Sequence, residues 1–303
     1  MNRLLPTTAA LAVVLLSASC GSGDLAATPS TGGPIRIVAS TDVYGSIATA
    51  VGGDAVRVTS IISDSGSDPL AYESTPADAT AVAAAQVVLY NGNGYDDFMP
   101  QLVEAAGGSR TVLDASEVSG LAPTAEAAGQ EFNEHVWYSL PTVKTLAMTL
   151  ATDLGEQRPA EAAAFTANAT AFTQRVDELQ ASLARLSSNT AGRRAAVTEP
   201  LANYLLQDAG LENAAPEKFQ EAVEEGEAPS AAVLQEMLNL FVSDPVDVLV
   251  LNTQTESAVT DQVLQAAERA GVPVVRMSET LTAPDYLTWM GGQIDALTQA
   301  LDG

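Results

Sequence analysis

The sequence predicts an α/β protein in which two parallel-sheet lobes are joined by one long, rigid helix. Short runs of β-branched residues alternate with helical patterns of about 10–15 residues, which is typical of parallel strands connected by crossover helices. The alternation occurs in both halves of the chain, and one continuous helical stripe separates the halves. A chain of 303 residues is also long enough to form two lobes rather than one.

Seven apolar runs predict the strands of the two sheets. In the first lobe, which we assign to residues 35–155, the runs are 35–41, 56–62, 87–92 and 111–116. In the second lobe, residues 192–303, the runs are 194–199, 246–253 and 272–279, and a closing helix is expected from about Pro284 to Leu301. Because helical patterns separate the runs, we expect the strands to be parallel and connected by crossover helices.

The joining helix is predicted over residues 156–191. Its apolar residues are spaced alternately by four and three positions, so that they lie on one helical face: Phe165, Ala169, Phe172, Val176, Leu179, Leu183 and Leu186. Pro159 can occupy the first turn, and Gly192 lies beyond the last. A coiled coil with a partner gives the same pattern, but this stripe lies between two α/β halves. We therefore expect a helix of roughly 45 Å that packs under both lobes.

The first 20 residues have the order of a bacterial secretion signal. An arginine precedes an apolar stretch from Leu11 to Leu16, and small residues then lead to Cys20. The stretch is too short to span a bilayer stably. Since Cys20 is the only cysteine, we expect lipid attachment there, and its removal with the signal peptide is the alternative. Residues 21–34 predict a flexible tether, which would hold the protein at the outer face of the cytoplasmic membrane.

The charge of the chain indicates which partners it can bind. Thirteen basic and 38 acidic side chains give a formal net charge of −25. Phosphate groups would be repelled, which argues against binding to nucleic acid or to an anionic membrane surface. Cations are the natural small partners. The acidic cluster at 221–230 is expected to be a solvated helix end.

Polar residues that follow the predicted strands are candidates for a binding site. In open α/β sheets ligands bind beyond the carboxyl ends of the strands. The residues in such positions are Asp68, Glu73, Asn91, Glu199, Asn252, Gln254, Glu256 and Glu279. Glu199 and Glu279 each close an apolar strand, and His135, the only histidine, lies in a loop of the first lobe. Imidazole and carboxylate together bind divalent cations, but solvated carboxylates and a hydrogen-bonded histidine give the same pattern.

Five sequence blocks occur in a fixed order along the chain, and the ordered set identifies a family more specifically than any single block does. They are DPLAYESTPAD (68–78), VVLYNGNGYDDFM (87–99), NEHVWYSLPTVK (133–144), VTEPLANYLLQDAGL (197–211) and SETL (278–281). In this order they resemble the signature blocks of the cluster A-I family, the zinc and manganese substrate-binding lipoproteins of ABC transporters. The resemblance implies one metal ion, Mn²⁺ or Zn²⁺, in a cleft between the lobes, and its delivery to a membrane ABC permease with its ATPase.

Carried over position by position, the resemblance implies that His135, Glu199 and Glu279 are metal ligands. The family's first ligand is a histidine, and this chain has Leu70 at that position. Leucine cannot bind a metal ion, so three outcomes are open. The site can use three protein ligands and water, it can recruit Asp68 or Glu73 as a substitute, or it can have lost its metal. The histidine-rich loop that often precedes the HVW block is also missing, which slightly favours manganese.

Other functions compete with that of a metal receptor. His135 with two carboxylates could act as a base with two acids, but the sequence has no G-x-S-x-G nucleophile block. We therefore expect no enzymatic activity. The same fold with a degenerate site could instead bind a chelated metal or a small organic molecule, or serve as a non-transporting scaffold or adhesin.

Overall fold

The computed structural model describes residues 32–64, 66–129 and 131–302, and it confirms the two parallel-sheet lobes and the long helix. The strands are β1 (Ile35–Thr41), β2 (Val56–Ile62), β3 (Val87–Tyr90), β4 (Thr111–Asp114), β5 (Arg194–Val197), β6 (Glu212–Asn213), β7 (Val248–Asn252) and β8 (Val274–Met277). The first sheet has the order β2-β1-β3-β4 and the second has the order β6-β5-β7-β8. All neighbouring strands pair in parallel.

Helices connect the strands and cover the sheets. They are α1 (Asp42–Gly52), α2 (Pro76–Ala84), α3 (Phe98–Ala106), α4 (Ala115–Ser119), α5 (Ala122–Ala128), α6 (Leu140–Gln157), α7 (Ala162–Thr190), α8 (Asn203–Asp208), α9 (Glu217–Glu224), α10 (Ala231–Asn239), α11 (Ala258–Ala270) and α12 (Tyr286–Leu301). Short 3₁₀ turns occur at Gly53–Ala55, Val136–Tyr138 and Pro200–Ala202. Among the described residues, none of the helices is long and apolar enough to cross a membrane.

The predicted strands match the sheet except at their ends. β1 and β2 have the predicted bounds, whereas the run 87–92 pairs only as far as Tyr90. The chain leaves the sheet there because Gly92 adopts a φ of 79°, and a Cβ at that position would lie 2.2 Å from a carboxylate oxygen of Asp114. The edge strand β6 was not predicted, since its two residues, Glu212 and Asn213, carry no apolar signal.

The joining helix differs from its prediction at the N-terminal end. α7 begins at Ala162 rather than at residue 156, because Pro159 lies in a turn that separates α6 from α7. Six of the seven stripe residues are buried, and Leu179 is half-buried. With 29 residues, the helix is about 44 Å long. It packs against α1 and α6 of the first lobe and against α8 and α12 of the second, as expected for a rigid support.

Buried hydrogen bonds also join the lobes near the carboxyl ends of their strands. Tyr138 in the first lobe donates to the Ser278 carbonyl at 2.8 Å, and Tyr286 in the second donates to the Trp137 carbonyl at 2.8 Å. The rings of Tyr138 and Trp289 lie 5.5 Å apart. These contacts fix the relative position of the two strand edges, and the predicted ligands lie at those edges.

Candidate metal centre

His135 is held by its neighbours in the loop that leads into α6. The residue is fully buried, and the 3₁₀ turn that follows it inserts Val136, Trp137 and Tyr138 into the core. The backbone N–H of His135 donates to Asn133 Oδ1 at 3.0 Å. The ring nitrogen Nδ1 lies 2.8 Å from the same oxygen. The ring is therefore fixed in both position and orientation.

The hydrogen bonds of Asn133 determine which ring nitrogen of His135 is free. Asn133 donates through Nδ2 to the Pro200 carbonyl at 2.9 Å, so its Oδ1 must face the ring. Because an amide oxygen only accepts, Nδ1 carries the proton and Nε2 carries a lone pair. Burial lowers the pKa of His135 to about 3, which keeps the ring neutral. Nε2 is buried and has no hydrogen-bond partner among the described residues, which is the state required of a metal ligand.

An aromatic wall adjoins the histidine. The ring centroid of Trp137 lies 5.1 Å from that of His135, and the centroid of Tyr95 lies 6.0 Å from it. Tyr95 lies in a tight turn in which Asp96 accepts from the N–H groups of Asn91 and Gly92 at 2.7 and 2.8 Å. The wall excludes water from one side of the imidazole and strengthens electrostatic interactions there.

Glu199 and Glu279 lie at adjacent strand ends of the second sheet. Asn252, the last residue of β7, donates through Nδ2 to Glu199 Oε2 and to Glu279 Oε1, both at 2.7 Å. This arrangement follows from the strand order β5-β7-β8, which places β7 between the two carboxylates. Tyr95 of the first lobe donates to Glu279 Oε2 at 3.0 Å. Glu199 Oε1 is buried and has no partner among the described residues.

The two carboxylates are buried close to further negative charge. Burial, together with the charges of Glu279 and Asp68, raises the pKa of Glu199 to about 8, although the hydrogen bond from Asn252 opposes the rise. Burial also raises the pKa of Glu279 to about 7, with contributions from Asp68 and Glu134. A cation bound among these groups would replace the protons that they otherwise hold.

A second pair of carboxylates faces His135. Among the described residues, one set of three possible metal-binding side chains has ligand atoms that all lie within 4.8 Å of one another, and it consists of Glu134, His135 and Glu224. The distance from His135 Nε2 to Glu224 Oε1 is 3.7 Å. Burial, together with the charges of Glu134, Glu199 and Glu279, raises the pKa of Glu224 to about 9.

Sequence reasoning missed the position of Glu224. The acidic cluster at 221–230 was expected to be a solvated helix end, and Glu225 is indeed exposed at the end of α9. The Glu224 side chain, however, is only 15% exposed. Within a run of glutamates, no local signal distinguishes the residue that turns inward.

The other predicted positions separate into two groups. Asp68 is half-buried and lies close enough to Glu199 and Glu279 for its charge to raise the pKa of both. Leu70 is 37% exposed, and it lines a surface cavity of about 370 Å³ together with the exposed Glu73. The structure therefore brings Asp68 near the carboxylates and leaves Glu73 at the surface.

The remaining strand-end residues support the site or lie outside it. Asn91 donates through Nδ2 to the Glu134 carbonyl at 2.9 Å and thereby holds the loop that carries His135. The side-chain oxygen of Gln254 accepts from the backbone N–H of Glu279. Glu256 is exposed and pairs with Arg276 at 3.1 Å, so it contributes nothing to the centre.

Replacing Asn252 tests whether the carboxylate pair is held in place for a ligand. We expect Asn252→Ala to weaken divalent-metal binding by about 10–100-fold, because both carboxylates lose the donor that orients them. Isothermal titration calorimetry with Mn²⁺ and Zn²⁺ measures the change. Asn239→Ala, at an exposed position at the end of α10, is the matched control and should leave affinity unchanged. Equal affinities of the two variants would contradict the orienting role.

Comparison with known proteins gives a consistent result over most of the chain. Residues 37–300 match the family model of the zinc-uptake complex component A, periplasmic (ZnuA). The manganese-binding lipoprotein MntA of Halalkalibacterium halodurans is 31% identical over 174 residues, which cover 56% of this chain and 55% of the relative. The MntA of Bacillus subtilis is 29% identical over 54% of each chain. This chain thus spans about half the length of the curated relatives that it matches.

Solved structures share the fold over a larger part of the chain. The periplasmic zinc-binding protein TroA of Treponema pallidum superposes with a TM-score of 0.75 at 19% identity, over 89% of this chain and 99% of that one. The substrate-binding protein FpvC of Pseudomonas aeruginosa, in complex with Mn²⁺, superposes with a TM-score of 0.71 at 26% identity, over 89% and 98% of the two chains. The likeness to TroA supports the fold alone.

Proposed function

The chain belongs to the family of the periplasmic zinc-uptake complex component A, and we propose that it captures a divalent metal ion outside the cytoplasmic membrane and delivers it to an ABC importer. The ion is transported substrate rather than a resident cofactor. Relatives named for manganese or zinc binding support a choice between Mn²⁺ and Zn²⁺. The partners in this proposal are a membrane permease and its ATPase.

One observation carries the proposal. His135 is the only histidine of the chain, and the structure buries it completely with Nε2 unpartnered and a glutamate oxygen 3.7 Å away. A buried polar atom without a partner is unfavourable by about 1–3 kcal/mol. A metal ion bound to Nε2 would remove that penalty, and the nearby carboxylates would offset the charge of the ion.

We propose His135, Glu199 and Glu279 as ligands, with Asn133 and Asn252 as the residues that orient them. Asn133 fixes the proton of the imidazole at Nδ1, and Asn252 holds one oxygen of each carboxylate. Glu199 Oε1 is thereby left free for an ion. No step in this function breaks a covalent bond, which agrees with a binding protein rather than an enzyme.

Lipid attachment at Cys20 completes the proposal. Cys20, the signal peptide and the tether up to residue 31 lie outside the described residues. The MntA relatives are named lipoproteins, which supports an anchor of the same kind here. A tethered receptor at the outer face of the membrane would release its ion close to the permease.

Metal content of the purified full chain tests the proposed function. We expect elemental mass spectrometry to find about one Mn or Zn ion per chain, since His135 is the only histidine of the chain and each proposed site includes it. After removal of the metal, added Mn²⁺ or Zn²⁺ should raise the melting temperature, because an ion that binds only the folded chain stabilises it. Metal-free protein that shows no thermal shift with either ion would overturn the proposal.

A further inference from the structure

We propose that Glu224 and Glu134 are ligands of the transported ion and that they supply, beside His135, the donors that Leu70 cannot supply. The inference rests on the proposed function and specifies its site. It assigns a binding role to a helix-end glutamate of the second lobe and to the residue that precedes the histidine.

The geometry around Nε2 is the first support. The free lone pair of His135 faces Glu224 Oε1 at 3.7 Å. One ligand atom from each of Glu134, His135 and Glu224 lies within 4.8 Å of the other two. Metal–nitrogen and metal–oxygen bonds are about 2.0–2.2 Å long, so ligand atoms around one ion lie roughly 3–4.5 Å apart. The distance of 3.7 Å lies in this range, and the limit of 4.8 Å for the three side chains is close to it, so small side-chain movements would bring all three around one ion.

The lack of other partners is the second support. His135 Nε2 and Glu224 Oε1 are both buried and without a hydrogen-bond partner among the described residues. Without a cation, the two atoms face each other across 3.7 Å, which is too long for a hydrogen bond between them. A cation between them would satisfy both atoms at once.

The position of Leu70 shows why a replacement is needed. Its side chain is 37% exposed and lines a surface cavity with Tyr72 and Glu73. Glu73 is exposed on that cavity, so it is a poor substitute. Glu224 comes instead from the second lobe, and its charge interacts with those of Glu199 and Glu279.

A route for the cation leads to the same residues. A cavity of about 690 Å³ opens beside α9, and six glutamates line it: Glu131, Glu134, Glu217, Glu221, Glu224 and Glu225. Asn133 and Pro200, which hold the histidine loop, also line this cavity. Its concentration of negative charge would attract a hydrated cation and lead it to Glu134 and Glu224.

The donor set has a consequence for the choice of metal. One imidazole nitrogen among several carboxylate oxygens is a harder set of ligands than one with two or three histidines. We therefore expect this site to prefer Zn²⁺ over Mn²⁺ less strongly than a site with two or three histidine ligands does. Replacing Glu224 with histidine should therefore shift the preference toward Zn²⁺.

Affinity measurements on matched glutamate variants test the inference. For Glu224→Gln in the full chain we expect Mn²⁺ affinity to fall by roughly 100-fold or more, beyond the loss typical of an orienting residue. Glu225→Gln removes the same charge from the same cavity at an exposed position and should change affinity by less than about threefold. Glu134→Gln should resemble Glu224→Gln. The ratio of Zn²⁺ to Mn²⁺ affinity should rise at least about tenfold in Glu224→His.

The outcomes separate this inference from the proposed function. If the unmodified chain binds Mn²⁺ or Zn²⁺ and Glu224→Gln binds as Glu225→Gln does, the inference is overturned and the proposed function stands. If the unmodified chain binds neither ion, the proposed function fails and the inference fails with it. A folded Glu224→Gln with lost affinity, together with the shifted preference of Glu224→His, supports the inference.

Discussion

His135→Ala is expected to abolish stoichiometric binding of Mn²⁺ and Zn²⁺ while the chain stays folded. The variant removes the only imidazole of the protein, and no other described nitrogen ligand is available to replace it. The remaining donors are carboxylates, which bind first-row metals less tightly without nitrogen. We expect the affinity for either ion to fall by at least about 100-fold, because a ligand and not only its orienting partner is lost. Elemental mass spectrometry and calorimetry measure the loss.

A second variant separates the loss of the ligand from a disturbance of the fold. His135→Gln keeps most of the side-chain volume and can still hydrogen-bond to Asn133, so its stability should be closer to that of the parent. Its affinity for the metal should nevertheless be low, since an amide is a poorer ligand than imidazole. Metal binding at the parental level in either variant, with normal circular dichroism, would exclude His135 as a ligand.

The metal-free protein is expected to be most stable near pH 4.5. Glu199 and Glu279 have folded-state pKa values of about 8 and 7, above the 4.5 of an ordinary glutamate. The folded chain therefore holds protons that the unfolded chain has released, and stability falls as the pH rises from about 4.5 through these values. The loss between pH 4.5 and pH 8 should be on the order of 8 kcal/mol, because a difference of one in the pKa of a group corresponds to about 1.4 kcal/mol.

His135 has the opposite effect on the acid side. Its pKa falls from an ordinary 6.5 to about 3, so the unfolded chain takes up a proton before the folded chain does. Stability therefore falls as the pH drops from about 6.5 toward 3. Between about pH 4.5 and pH 6.5 the two glutamates outweigh the single histidine, so the maximum lies near pH 4.5. Urea denaturation of the metal-free chain from about pH 3 to pH 8 gives the profile directly.

Metal binding should oppose the loss of stability that the metal-free protein shows as the pH rises. An ion displaces the protons of the buried carboxylates, so affinity should rise with pH and binding should release protons. Calorimetry in buffers of different ionisation enthalpy counts these protons. The double variant Glu199→Gln/Glu279→Gln should make the alkaline limb of the metal-free profile shallower. Glu224, whose pKa burial raises to about 9, should account for the fall that remains. A variant whose stability still falls in parallel with the parent above pH 6 would show that other groups cause the trend.

Much of the fold could be predicted from the sequence because its signals are local. Short runs of β-branched residues between helical patterns predict strands, which is why β1 and β2 have the predicted bounds. The alternating spacing of four and three reports one face of a helix, and six of those seven residues are buried. Where the signal was weak, the prediction failed. The two-residue β6 has no apolar run, and Pro159 lies in a turn rather than inside a helix.

The sequence by itself determined the two-lobed fold, the kinds of ligand and the absence of a histidine at Leu70. Only the tertiary structure decided which side chains meet. It joined Glu199 and Glu279 through Asn252, fixed the free nitrogen of His135 through Asn133, and brought Glu224 from α9 to face that nitrogen. The physical reason is that a sequence pattern reports the environment of one element. Contacts between side chains on different lobes depend on how the lobes pack, and no local period records that packing.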